Sequence, residues 1–126
     1  MLSFGHVIDG EEVSSSDGAL MPDVDPFTQA PWSEVACGSA ADADRAVRAA
    51  RQAFDDGPWP RMGSAERRAI LHRLAELVER DADALALADT RDMGKPITQA
   101  RHDVARSAWN LRFFADHANL TAADVY

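Results

Sequence analysis

Few side chains in this 126-residue sequence stand where they could do chemistry. Cys37 is the only thiol. A thiol nucleophile needs a nearby base or a helix N-terminus to lower its pKa. The strand around Cys37 supplies neither, so we read it as a packed structural cysteine. The four histidines, His6, His72, His102 and His117, are scattered. None stands with a carboxylate or cysteine at a metal-ligand spacing. There is no Gly-x-Gly-x-x-Gly run and no phosphate loop. No self-sufficient active site is legible.

Two small constellations remain. The first is Asp92-Met93-Gly94-Lys95-Pro96. Gly at a helix C′ position takes the left-handed conformation without strain, and Pro just beyond blocks continuation. Asp92 is therefore expected in the last turn of a helix, where the partial negative charge of the carbonyl ends disfavours an acid. Such an acid is either solvated or partnered, by Lys95 or by a bound cation. Lys95 is the only lysine in the chain. The second is His102 with Arg106, four apart on one helical face, with Asp103 and Ser107 beside them. An arginine at the edge of an apolar stripe is either a snorkelling side chain or a bidentate clamp for a carboxylate.

The elements that must position these residues follow from pattern. His6 to Val13 reads as a hairpin around Asp9-Gly10, a type I′ dipeptide. Leu20 to Val24 is a strand that Pro22 confines to an edge. Asp25 to Gln29 is a turn in which the Asp side chain can bond nearby amides. Trp32 to Cys37 is a further strand. Ser39 caps a helix, with Asp42 in the capping-box position and Ala43, Ala46, Val47, Ala50 and Phe54 as its apolar stripe. Gly57-Pro58-Trp59-Pro60 ends it. Ser64 caps a second helix with the stripe Ile70, Leu71, Leu74, Leu77 and Val78; Arg67, Arg68 and Arg73 form its solvated face. Asp81 or Asp83 begins a third helix, closed by Gly94. The fourth runs from about Thr98 to Ala118 on the stripe Ala100, Val104, Ala108, Leu111, Ala115 and Ala118. Trp109 and Phe113 give it a second apolar face, so part of it is expected to dock onto something further. The fold class is α+β: an N-terminal β-hairpin and short strands (about 6–37) followed by four α-helices (about 40–118).

Composition limits the function classes. The chain is 46% hydrophobic and 27% charged, which is globular and not disordered. Its length suits one small domain. A net charge of −8 argues against nucleic acid and against an anionic membrane surface as partners. No apolar run is long enough to span a bilayer, and the first residues lack the layout of a secretion signal. A lone cysteine and these absences make the cytoplasm the expected location.

The motifs, in order, resemble a known family. Ile8-Asp9-Gly10-Glu11 looks like the opening I-N/D-G-E/K, and Asp23-Val24-Asp25-Pro26-Phe27-Thr28 like V-N-P-x-T. Glu34-Val35-Ala36, the run Ala41 to Phe54, Gly57-Pro58-Trp59, Glu66-Arg67, Leu74-Ala75-Glu76-Leu77, Asp92 to Pro96 and Leu111-Arg112-Phe113-Phe114-Ala115 follow. Each is weak alone. Together they resemble the N-terminal part of the NAD(P)-dependent aldehyde dehydrogenase superfamily, across nearly the whole chain.

The resemblance implies an incomplete portion of the aldehyde dehydrogenase fold, residues 1–126 being part of its cofactor-binding domain. It implies oxidation of an aldehyde to an acid with NAD or NADP in the complete enzyme. The family's catalytic cysteine, general-base glutamate and glycine motif for the cofactor lie downstream of the matched region, and Cys37 does not match the nucleophile. This chain is therefore not expected to be active alone. Its implied partner is the remainder of the aldehyde dehydrogenase chain or a companion subunit, forming a homo-oligomer when complete. The alternative is a non-catalytic remnant or a partner-binding subunit of a split enzyme. The resemblance also implies a monovalent cation, K+ or Na+, at the positions matching Asp23, Val24 and Asp92. Finally, Asp103 to Ala115 is similar to a segment of muconic-type semialdehyde dehydrogenases in which an arginine binds the substrate carboxylate. Arg106 matches that arginine, with His102 on the same face. Ala105 and Leu111 depart from that segment's pattern.

Overall fold

A computed structural model of the chain describes residues 1–117. The order of elements is five short strands followed by four α-helices. The strands are β1 (Leu2–Phe4), β2 (His6–Ile8), β3 (Glu11–Val13), β4 (Leu20–Val24) and β5 (Pro31–Ala36). The helices are α1 (Ala40–Asp56), α2 (Ser64–Arg80), α3 (Ala82–Met93) and α4 (Ile97–His117), with a 3-10 turn at Trp59–Arg61 between α1 and α2. The α+β, mostly helical expectation holds. Ala118, placed on the stripe of the last helix, lies outside the described residues.

The chain divides into two compact units. One comprises Met1–Pro60 with Arg91–Met93, and the other Arg61–Thr90 with the residues from Gly94 onward.

In the first unit β2 and β3 pair antiparallel, and Asp9 and Gly10 both have positive φ (56° and 79°), as a type I′ turn requires. β5 is the central strand of a three-stranded sheet of order β1-β5-β4. It runs parallel to β1 and antiparallel to β4. Pro22 thus sits on an edge strand, where its missing N–H costs the ladder nothing. β1 was not legible beforehand: three residues are too few to carry a period. The turn after β4 forms as its aspartate predicts, with Asp25 Oδ1 accepting from the amides of Phe27 (2.8 Å) and Thr28 (3.2 Å).

α1 starts where its cap predicts. Ser39 Oγ accepts from the Asp42 amide (3.2 Å), and the Asp42 carboxylate accepts from the Ser39 amide (3.0 Å) and hydroxyl (2.8 Å). The same carboxylate accepts from the amide and hydroxyl of Ser16 and from the buried hydroxyl of Ser15. This knot ties the loop after the hairpin to the start of α1. It holds the Asp42 carboxyl well below the usual range, chiefly through the Ser39 amide and hydroxyl and then Ser16, against the opposing effect of burial. The apolar stripe of α1 corrects the sequence expectation. Val47 and Phe54 are each 66% exposed, while Asp42 is buried and Ala46 and Ala49 are half-buried. Of the expected stripe only Ala46 is half-buried, Ala43 and Ala50 being exposed as well, and Arg51 rests over the Phe54 ring at 5.1 Å.

The second unit is built on α2 against α4. Ala75, Ala100, Ala108 and Ala115 are buried, and small residues let helix backbones approach closely. Half-exposed polar ties flank that seam: Arg112 grips Glu79 bidentately at 2.5 and 2.7 Å, and Asp116 accepts from Arg68 (2.6 Å) and bonds His72 (2.8 Å). Several expectations for α2 are corrected. Gly63 is the N-cap and Ser64 the first helical residue; the Glu66 carboxylate accepts from the Gly63 amide at 2.9 Å. Ile70 and Leu74 are exposed, because the inward face centres on Ala75. Arg67 is half-buried, donating to the Met62 carbonyl, while Arg68 and Arg73 stay exposed as expected, paired with Asp116 and Glu76.

Candidate functional site

Lys95 organises the polar side of the second unit. α3 ends at Gly94, whose left-handed backbone (φ 73°) lets its amide reach the Thr90 carbonyl at 2.9 Å. The turn carries Lys95 to Asp89 Oδ2 at 2.8 Å and Asp103 Oδ2 at 2.9 Å. Lys95 therefore does not pair with Asp92, contrary to one of the two partners the sequence left open. Asp89 lies a turn further back on α3, within reach of Lys95 past the left-handed Gly94. Both acids hold the ammonium charged: its pKa is raised, first by Asp89 and then by Asp103. The Asp103 carboxyl is lowered in return, first by the Lys95 hydrogen bond and to a lesser degree by Arg106 and His102. Lys95 is 25% exposed, and this cluster is the most enclosed set of ion pairs among the described residues.

Arg106 continues the cluster. Its Nη2 meets Asp103 Oδ1 at 2.5 Å, while its side chain remains 70% exposed. Asp103 thus joins a shielded ammonium to an open guanidinium, one through each oxygen. The guanidinium uses one of its five N–H donors there and keeps four for a second acceptor. His102 is exposed on the same helix, beside this cluster. A guanidinium presented this way can grip a carboxylate bidentately.

Asp92 lies in the last turn of α3, as expected, and is exposed with no hydrogen bond or ion pair among the described residues. The contact pattern places it in the first unit together with Asp23 and Val24. There the Arg91 guanidinium lies over the Trp32 ring at 5.9 Å, and the next residue of β5, Ser33, donates its hydroxyl to Asp23 Oδ2 at 3.0 Å. Val24 follows a register shift in the β4–β5 ladder. An unpaired carboxylate and a second carboxylate with one oxygen unused are hard oxygen donors, and they fit a group I cation better than a soft metal. No cluster of three histidine, cysteine or carboxylate side chains capable of holding a metal occurs among the described residues.

Cys37 is exposed, which corrects the expectation of a packed cysteine. β5 ends at Ala36, and Cys37 contributes only its backbone, its amide bonding Ala19 O (2.9 Å) and its carbonyl accepting from Ser15 (2.6 Å). No base reaches its thiol from these partners. His117 stacks on Phe113, which stacks in turn on Trp109. Trp109 is 61% exposed, so the second apolar face expected for α4 is indeed open. These rings, with Arg112 and Asp116, line a surface cavity of about 380 Å³. No helix among the described residues is long and apolar enough to cross a membrane.

Comparison with known proteins places this scaffold. The aldehyde dehydrogenase family model matches residues 13–125. The chain is 41% identical over 119 residues to the NADP/NAD-dependent aldehyde dehydrogenase PuuC of Escherichia coli K12, covering 94% of this chain and 24% of that protein. It is 36% identical over 127 residues to the 2-hydroxymuconic semialdehyde dehydrogenase of Pseudomonas sp. CF600, covering 100% of this chain and 26% of that one. The crystal structure of an NAD-dependent aldehyde dehydrogenase from Sinorhizobium meliloti superposes with a TM-score of 0.91 at 34% identity, over 94% of this chain and 24% of the other. The chain spans about a quarter of the length of these relatives. The chain therefore belongs to the aldehyde dehydrogenase family.

Proposed function

We propose that this chain is the N-terminal, cofactor-domain part of an enzyme that oxidises a carboxylated semialdehyde to the corresponding diacid with NAD or NADP. The observation that carries the reading is Arg106: an exposed guanidinium on α4, held at one corner by Asp103 and with four donors to spare. The likeness of this chain to a quarter of a 2-hydroxymuconic semialdehyde dehydrogenase, at 36% identity, supports an acidic substrate. In this reading Arg106 binds the carboxylate remote from the aldehyde and so sets the orientation of the carbonyl. His102, exposed on the same face, borders the carboxylate.

The chemical step belongs to the complete enzyme. There a cysteine thiolate from the remainder would attack the aldehyde carbon, and NAD or NADP would supply the hydride acceptor that takes the resulting thiohemiacetal to a thioester. Water then hydrolyses the thioester. Cys37 is not that nucleophile, since nothing beside it activates a thiolate. None of the described residues is assigned to the cofactor. Asp23, Val24 and Asp92 supply oxygen ligands to a K+ or Na+ ion that steadies the junction of β4 and the end of α3, and the remaining ligands come from the rest of the enzyme. That remainder, in the same polypeptide or a companion subunit, covers the exposed Trp109–Phe113 face, and the complete protein assembles as a cytoplasmic homo-oligomer.

Replacing Arg106 with Ala in the complete enzyme tests the reading. Steady-state kinetics are expected to give a KM raised at least about tenfold for a semialdehyde bearing a carboxylate, the scale of a lost charge-assisted bidentate contact. A neutral aldehyde of equal length should be affected less than about twofold. Equal effects on both substrates would rule out the clamp.

A further inference from the structure

The arrangement around Asp103 has a consequence for Arg106. A guanidinium paired with a lone carboxylate is electrically neutral to an approaching anion, and that carboxylate competes with the anion for the same donors. Asp103 is not alone. Its Oδ2 accepts from Lys95 at 2.9 Å while its Oδ1 meets Arg106 at 2.5 Å. Lys95 is itself fixed by Asp89 at 2.8 Å and by the turn at Gly94 and Pro96. The one lysine of the chain is thus placed where it draws on the charge of the acid that touches Arg106. The four groups are balanced in charge, and the exposed member is the cation: Arg106 is 70% exposed, against 34% for Asp103 and 25% for Lys95.

We propose that Lys95 is a positioning residue for substrate recognition, drawing Asp103 away from the Arg106 guanidinium so that the guanidinium stays attractive to a substrate carboxylate. The inference rests on the reading of Arg106 as the carboxylate clamp. Without Lys95, Asp103 bears an uncompensated charge beside the clamp and swings fully onto it. Arg106 then meets the incoming carboxylate partly neutralised. Without Asp103, Arg106 is unopposed and binds the carboxylate more strongly.

The test is a set of variants of the complete enzyme, assayed with a carboxylated semialdehyde and a neutral aldehyde of equal length. Lys95→Met is expected to raise KM for the acidic substrate about fivefold, the scale of one partly screened charge at this range. KM for the neutral aldehyde should stay within about twofold, and kcat with either substrate should hold. Lys95→Arg should restore the acidic-substrate KM, because the cation is retained. Asp103→Asn should lower that KM, and Lys95→Met combined with Asp103→Asn should bring it back towards wild type. A purely structural Lys95 would instead impair both substrates equally and would not be rescued by removing Asp103; either result overturns the proposal. So does an effect of Lys95→Met that persists in an Arg106→Ala background. If Lys95→Met does not fold, Asp103→Asn alone decides, and an unchanged acidic-substrate KM overturns the proposal. Failure of the clamp is distinguishable: Arg106→Ala then leaves the acidic-to-neutral ratio unchanged. If Arg106→Ala shifts that ratio and Lys95→Met does not, the clamp stands and the inference falls.

Discussion

Asp42 and Asp92 are both aspartates at helix ends, and they meet opposite fates. Asp42 sits in the first turn of α1, buried, with donors from Ser15, Ser16 and Ser39 around it. Asp92 sits in the last turn of α3, exposed and without a partner among the described residues. The field of a helix favours an anion at its N-terminus and opposes one at its C-terminus. The first acid follows the field and is saturated by the fold. The second opposes the field and gains nothing from the fold. A carboxylate that the scaffold itself satisfies is structural, whereas one placed against the field and left open has capacity for a ligand.

The sharpest way to break the contrast is to remove Asp42. Asp42→Ala strands the amides of Ser16 and Ser39 and frees the loop after the hairpin. The expected outcome is the largest stability loss of the set, a Tm lower by on the order of 10 °C by circular dichroism. The pH dependence gives a second reading. In the fold the Asp42 carboxyl lies well below its usual range, and in the unfolded chain it titrates near about 4. Its contribution is therefore fully present above about pH 4 and fades as pH falls further towards its folded value. Asp42→Asn should flatten that acid limb. An unchanged limb would mean that the knot is not held by the charged carboxylate.

The knot was half legible in the sequence. Ser39 and Asp42 stand three apart, and that spacing is a capping box wherever a helix follows. The contributions of Ser15 and Ser16 were not legible, because more than twenty residues separate them from Asp42 and no local period links the two. The same asymmetry holds at the candidate site. Gly94 as the stop of α3 and the nearness of Asp103 to Arg106 are local facts of spacing. The bridge from Lys95 to Asp89 and Asp103 depends on how the turn at Gly94 aims the side chain, so the lysine that looked like a partner for Asp92 pairs elsewhere. Apolar stripes misled most. In α1 the period predicted Ala43, Ala46, Val47, Ala50 and Phe54 inside, but of these only Ala46 is covered, beside Asp42 and Ala49. A hydrophobic period identifies a face that seeks cover and does not say which neighbour covers it.

A smaller effect is expected where α3 stops. Gly94 holds φ 73°, a conformation that a β-carbon disfavours by about 1 kcal/mol. Gly94→Ala should lower the unfolding free energy by about that amount in urea titration, and Gly94→Asn by less, since Asn tolerates the left-handed region. Equal losses for Ala and Asn would place the cause in side-chain bulk, not in backbone strain.

The smallest effect is expected at Asp92, and it decides what kind of acid this is. Its side chain makes no hydrogen bond or ion pair among the described residues and stands against the negative end of α3. Removing its charge should leave Tm unchanged or raise it by about 1 to 2 °C when no alkali cation is present, because only an unfavourable interaction with the helix end is lost. With K+ in place of a quaternary ammonium ion too large for an oxygen-lined site, the wild-type complete enzyme should gain stability by mass action. Asp92→Asn should lose most of that gain. A Tm for Asp92→Asn that falls towards that of Asp42→Ala in the absence of K+ would make Asp92 a second structural acid and remove the contrast. A K+ response that survives the substitution would move the cation away from this turn. Only an acid that is dispensable without the ion and needed with it fits a carboxylate placed where its own helix repels it.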